Sequence, residues 1–185
     1  KTGIFSQKVL LQRIESGDTV KKDPFTLESA ELYFETDTKN FTASGDCRLK
    51  HKQFEGTAHR IEYDDAGQKL IFEGSAEIRQ DETVIHSDRV VIDMSQKQLQ
   101  LDTQVDLTSR EMKINSEGLI FNYEQKTGNF PKEVVLTRPE VKNSRGKVTK
   151  EPITLNAAGL YFETGSSNFT AEDGRIEHQQ ITGTA

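Results

Sequence analysis

What this sequence has little of narrows the field before any motif is read. There is one cysteine, Cys47, in 185 residues, which excludes a disulfide framework and any cysteine metal cage. Tryptophan is absent and proline occurs four times. No apolar run approaches the roughly 18 residues that a membrane-spanning helix needs; the longest clusters are as short as Val9-Leu10-Leu11 and Val90-Val91-Ile92. No secretory leader is visible, and Lys1 is read as a place where a leader or anchor was removed. A basic surplus is missing too: 24 Lys and Arg face 30 Asp and Glu, a net charge of −6. An acidic surface repels a phosphate backbone, so no nucleic-acid partner is expected. Only 33% of the chain is hydrophobic, with ten phenylalanines. The apolar content is concentrated.

What is present repeats. Segments 25–49, 54–78, 83–107 and 112–136 superpose at a constant offset of 29 without a gap, and a fifth, 153–176, follows an insertion at 138–152. Self-similarity at a fixed period is the mark of a repeat architecture. The fifth unit copies the first: Glu31-Leu-Tyr-Phe-Glu-Thr36 matches Gly159-Leu-Tyr-Phe-Glu-Thr164, and Asn40-Phe-Thr-Ala43 matches Asn168-Phe-Thr-Ala171. Inside a unit the apolar period is two, as in Lys69-Leu-Ile-Phe-Glu-Gly-Ser-Ala-Glu-Ile-Arg79, so each unit reads as half-buried strands. Turn residues stand at matching places, such as Asp64-Asp-Ala-Gly67 and Gln125-Lys-Thr-Gly-Asn129. Two strands of roughly ten residues fill each unit, about 30 Å long and about twice the usual length. Such strands must bend. In the first strand of each unit the apolar phase slips between odd and even positions, at Ser29, Ala58, Ser87, Ser116 and Ala157, which requires a bulge or corner. A column of corners folds the meander over on itself. The expected fold is all-β: an elongated twisted β-jelly-roll of two facing antiparallel sheets, built from five ~29-residue hairpin repeats, with residues 1–185 as one domain. The one helical alternative is a single turn within Ser6–Ile14, a stretch also apolar enough to pair as a strand.

Candidates for chemistry are few. No Ser/His/Asp order, P-loop, HExxH or cysteine pair is present, so no catalytic residue, metal or cofactor is expected. His59, Asp88 and Glu117 share one repeat slot, and stacking would bring ligands of zinc type together. A solvated polar ladder is the favoured reading, over a metal or catalytic site. His51 and His178 occupy matching hairpin ends, where solvated turn residues are expected. The insertion carries five cations against two anions; clustered Lys and Arg can meet phosphates, although a simply hydrated loop is the plainer reading. The aromatic stripe Phe34, Tyr63, Phe72, Phe121, Phe130, Phe162 and Phe169 fits a dry core or an apolar groove equally well. Residue types alone do not separate the two.

The unit Glu55-Gly-Thr-Ala-His-Arg-Ile-Glu-Tyr-Asp64, with Lys69-Leu-Ile-Phe-Glu-Gly-Ser-Ala-Glu-Ile78 and Ile85-His-Ser-Asp-Arg-Val-Val-Ile-Asp93, resembles the OstA-like family of periplasmic lipopolysaccharide-transport proteins: LptA, LptC and the amino-terminal domain of LptD. The pattern covers Phe25–Ala185. Gly3–Glu35 reads more like LptC and Glu55–Leu101 more like LptA, while the insertion and the lack of an anchor helix depart from the family. The resemblance implies a jelly-roll open along one side, whose interior carries acyl chains, in the periplasm of a Gram-negative cell. It also implies a tether to the inner membrane from a segment absent here. On that resemblance the groove lining is Leu32, Phe34, Ile61, Tyr63, Phe72, Val90, Ile92, Leu101, Leu119, Phe121, Phe130, Leu160, Phe162 and Phe169, with Lys142, Arg145 and Lys147 as headgroup contacts. The implied partners are lipopolysaccharide or a related glycolipid and other jelly-roll transport proteins bound end to end, with a head-to-tail homo-oligomer as a variant. The alternative is a structural β-repeat module with a packed core that binds protein or glycan. Its final Gln180-Ile-Thr-Gly-Thr-Ala185 repeats Gln53-Phe-Glu-Gly-Thr-Ala58 and stops where the other units continue, so the array is expected to end uncapped.

Overall fold

Every regular element of the computed structural model is a strand; the structure describes residues 1–13, 24–109, 112–142, 148–163, 168–178 and 182–184. No helix among them is long and apolar enough to cross a membrane. The first eight strands form a meander, each antiparallel to the next: β1 (Thr2–Arg13), β2 (Phe25–Glu35), β3 (Phe41–His51), β4 (Glu55–Asp64), β5 (Lys69–Gln80), β6 (Thr83–Asp93), β7 (Gln98–Thr108) and β8 (Lys113–Asn122). The helical turn within Ser6–Ile14 does not form. Thr2–Arg13 is a strand on β2, with Leu11 opposite Leu27, because the β2 edge offers a ladder that an isolated turn cannot match. Ile14 lies outside the described residues.

The chain continues as β9 (Thr127–Phe130), β10 (Val134–Arg138), β11 (Val141–Lys142), β12 (Val148–Lys150), β13 (Ile153–Ala157), β14 (Gly159–Glu163), β15 (Asn168–Glu172), β16 (Arg175–His178) and β17 (Thr182–Thr184). Here the sheet divides. β9 and β10 both pair with β8 but are separated at Pro131, where a proline cannot donate to the ladder. One branch runs β9–β14–β15 and the other β10–β13–β16–β17. β11 and β12 form a separate two-stranded hairpin within the insertion.

Bends turn the meander into two facing leaves. In each pairing from β1–β2 to β7–β8 the register shifts mid-strand, as between Glu28 and Glu31, Thr57 and Arg60, or Leu101 and Gln104. We call the half containing Ile61, Phe72 and Val90 the upper leaf, and that containing Leu49, Ile78 and Ile85 the lower leaf. Residues beside the shifts are small and inward-facing: Ser29, Cys47, Ala58, Ala76, Ser87 and Ser116 are all buried. Small side chains let the leaves converge there. The serines also satisfy backbone off the ladder: Ser87 Oγ donates to Gln104 O at 2.8 Å, and Ser116 Oγ to Glu133 O, in the break between β9 and β10, at 2.9 Å. In β3 and β5 the bend is a pair of left-handed residues, Gly45-Asp46 (φ 76 and 47) and Gly74-Ser75 (φ 78 and 51). At each pair one glycine removes the steric penalty of that conformation.

Candidate functional site

The candidate site is the space between the leaves, and the hydrogen-bond register places the expected lining on one wall of it. Leu32, Ile61, Phe72 and Val90 form one transverse row, joined across the later strands by Leu101, Leu119, Phe130 and Leu160. Phe34, Tyr63, Ile92, Phe121, Phe162 and Phe169 belong to the next row, two residues along each strand. All but Phe34 and Phe169 are buried. The opposite wall is a third row on the lower leaf: Leu27, Leu49, Gly56, Ile78, Ile85, Leu107, Ile114, Leu136 and Leu155. Sequence reasoning left this wall out of the lining. Its residues carry the same alternation, so the signal was there.

The two walls touch. Phe25 of the lower leaf packs on Phe41 and Tyr63 of the upper leaf, with centroids 5.9 and 5.5 Å apart. A Cβ on Gly56 would lie 2.4 Å from the Phe72 ring and 2.9 Å from Ile78 Cδ1, so the Phe72 ring fills the space that a side chain at 56 would take. Grooves of about 220, 420 and 270 Å³ are present, and each opens on the outer surface or along the bends. At these contacts the interior is filled by side chains.

At its ends the same interior meets solvent. Phe5, opposite Leu32 on the edge strand β1, is 53% exposed. At the far edge of the upper leaf Phe169, opposite Phe162, is 40% exposed. Along one side, the hairpin turns of the two leaves are bridged. The Arg13 guanidinium lies 5.4 and 5.2 Å from the Phe25 and Tyr63 ring centroids, donates to Tyr63 Oη, and donates to Gln68 Oε1 at 3.1 Å. Tyr63 Oη in turn donates to Asp65 Oδ1 at 3.0 Å, and burial raises its pKa above the ordinary tyrosine value. Farther along, Gln80 Nε2 donates to Tyr123 O at 2.8 Å, Lys126 Nζ meets Asp81 Oδ2 at 2.7 Å, and Phe54 packs edge-on against Tyr123 at 5.5 Å.

The remaining polar candidates do not converge. His59, Asp88 and Glu117 are all exposed. His59 lies over Gly74 and Glu117 pairs with Lys132 at 3.6 Å, and no group of three metal-ligating side chains gathers among the described residues. His51 corrects the reading of a solvated turn residue. It is 7% exposed, its ring 4.7 Å from Phe54 and 6.3 Å from Tyr123. Odd parity, shared with Cys47 and Leu49, carries it to the inner face. The side chains of His178 and Lys142, and all of Arg145 and Lys147, lie outside what the structure describes.

Residues 1–98 match the family described as LptA/(LptD N-terminal domain) LPS transport protein. No curated protein matches the chain. Among solved structures, the fold is similar to that of LptH from Pseudomonas aeruginosa, described as the LptA-homologous periplasmic component of the conserved lipopolysaccharide transport device. The TM-score is 0.50 at 12% identity, covering 84% of this chain and 94% of that one.

Proposed function

The chain belongs to the family of LptA and LptD amino-terminal-domain lipopolysaccharide transport proteins, and from that premise we propose that it is a periplasmic, non-enzymatic module that carries acyl chains between its two leaves. The observation that supports this most is an apolar interior running strand after strand through the array and exposed at both ends, at Phe5 and Phe169. An acyl chain leaving water for such a lining gains roughly 0.8 kcal/mol per methylene. A lining of similar rows has no single deep well, so a lipid driven from elsewhere can slide along it. The five units work as one domain, residues 1–185, and the insertion 138–152 supplies Lys142, Arg145 and Lys147 to headgroup phosphates.

We further propose that the molecule is one span of a bridge between inner and outer membrane, joined to jelly-roll partners end to end. Among the described residues β1 is paired with β2 alone, which leaves its outer edge for an added strand, and Phe5 beside that edge would continue the lining into the neighbour. The test is titration with a dansyl-labelled fatty acid, competed by lipopolysaccharide. Saturable, competed uptake supports the proposal. Absence of uptake at any concentration assigns the interior to a packed core and the molecule to scaffolding.

A further inference from the structure

We infer that lipid reaches the interior sideways, between the hairpin turns, and that Arg13–Tyr63 and Lys126–Asp81 are clasps that must part to admit it; this rests on the acyl-chain reading above. The opposite side is unsuited to opening over the first eight strands, because each of those strands passes continuously from one leaf to the other through its bend. Only the turns are free to separate. Among the described residues, two of the contacts that join them differ in chemistry. At the first, Arg13 of the lower leaf is held by Tyr63 Oη, Gln68 Oε1 and the Phe25 and Tyr63 rings. At the second, Asp81 in the β5–β6 turn meets Lys126 beyond β8 at 2.7 Å, next to the Gln80–Tyr123 bond at 2.8 Å.

The upper turns are also tied to one another, Gln68 O accepting from Met94 N at 2.9 Å and Lys97 O from Tyr123 N at 3.0 Å. That lacing makes them move as one rim, so both clasps bear on the same motion. The second clasp is polar and solvated, the Asp81 and Lys126 side chains being 70% and 47% exposed, whereas Tyr63 of the first is buried. Water can replace the Lys126–Asp81 pair and the Arg13 hydrogen bonds when the turns part, whereas the buried small-residue row beside the bends has no such substitute. The leaves therefore hinge at the bends and open at the turns.

The test joins the second clasp covalently in the full chain. Asp81→Cys and Lys126→Cys are combined with Cys47→Ala, which matches Ala76 in the same repeat slot, and linked by a reducible bis-methanethiosulfonate. The linked protein is expected to take up dansyl fatty acid at least tenfold more slowly than the same protein after reduction. Tyr63→Phe removes one hydroxyl of the first clasp without a cavity, and is expected to take up the probe at least threefold faster than wild type. Equal rates in linked and reduced protein, with saturable uptake in both, would overturn the clasps while leaving the lipid site standing. No uptake by linked, reduced or wild-type protein would overturn the lipid site itself, and the clasps with it.

Discussion

Replacing Gly56 by alanine would press a methyl group against the Phe72 ring, since a Cβ there lies 2.4 Å from Cε1 and 2.7 Å from Cζ. Overpacking of that kind typically costs about 1–3 kcal/mol, and a lowered urea midpoint at unchanged slope is the expected result. A variant as stable as wild type would mean that the leaves yield easily at this point. Cys47 gives a second reading of the same tight packing. Burial pushes its thiol up to about 11 from 9.0. Above pH 9 the unfolded thiol gives up its proton before the folded one does, so the contribution is whole below pH 9 and is lost as pH rises towards 11. The loss amounts to about 2–3 kcal/mol, and Cys47→Ala should remove that part of the alkaline decline in urea denaturation at pH 8, 9.5 and 10.5. Parallel declines in the two proteins would contradict it. His51 shows what a residue-by-residue reading missed. Its position in a turn suggested solvent, but a side chain's face is set by parity with Cys47 and Leu49.

At the scale of the strand, one bend uses two kinds of residue, and only one kind was legible. In β4 a single residue, His59, stands between the shifted pairs, so the apolar face changes from even to odd and the corner is visible in sequence. Against β4 and β6 respectively, β3 and β5 have two residues there, Gly45-Asp46 and Gly74-Ser75, which preserves parity and hides the corner. The glycine shared by those two strands at the same repeat slot was the available signal. Likewise, the phase slip marks Ser116 as a corner but not its second part there, a hydroxyl that donates to Glu133 O. Ser116→Ala leaves that carbonyl without its donor and should cost about 1–3 kcal/mol, read by chemical denaturation. A change below a few tenths would assign the serine to packing alone. Alternation foretold the strands well; division of the sheet at Pro131 was not foreseen, because one proline in a short segment reads equally as a turn.

For the whole molecule, the central question is whether the interior is a site or only a core. Substitutions deep inside do not separate the two: Phe72 and Ile92 are both 0% exposed, and Phe72→Glu should unfold the protein by desolvating a carboxylate. The ends are more informative. If the array continues into neighbours, sedimentation at rising concentration, alone or with a jelly-roll partner, should show end-to-end association that Phe5→Glu weakens. A compact monomer under every condition would count against the bridge. The most direct measurement places a photo-reactive side chain at neighbouring positions that face opposite ways and are accessible enough to tolerate it. Phe5, Phe34 and Phe169 face the interior; Ile4, Tyr33 and Tyr161 face outward. Irradiation with lipopolysaccharide should cross-link the first three positions and spare the second three, an alternation of period two along β1 and β2 that Phe169 and Tyr161 extend to the paired strands β15 and β14. Cross-links of equal strength on both faces, or only on the outer face, would contradict a lipid path between the leaves.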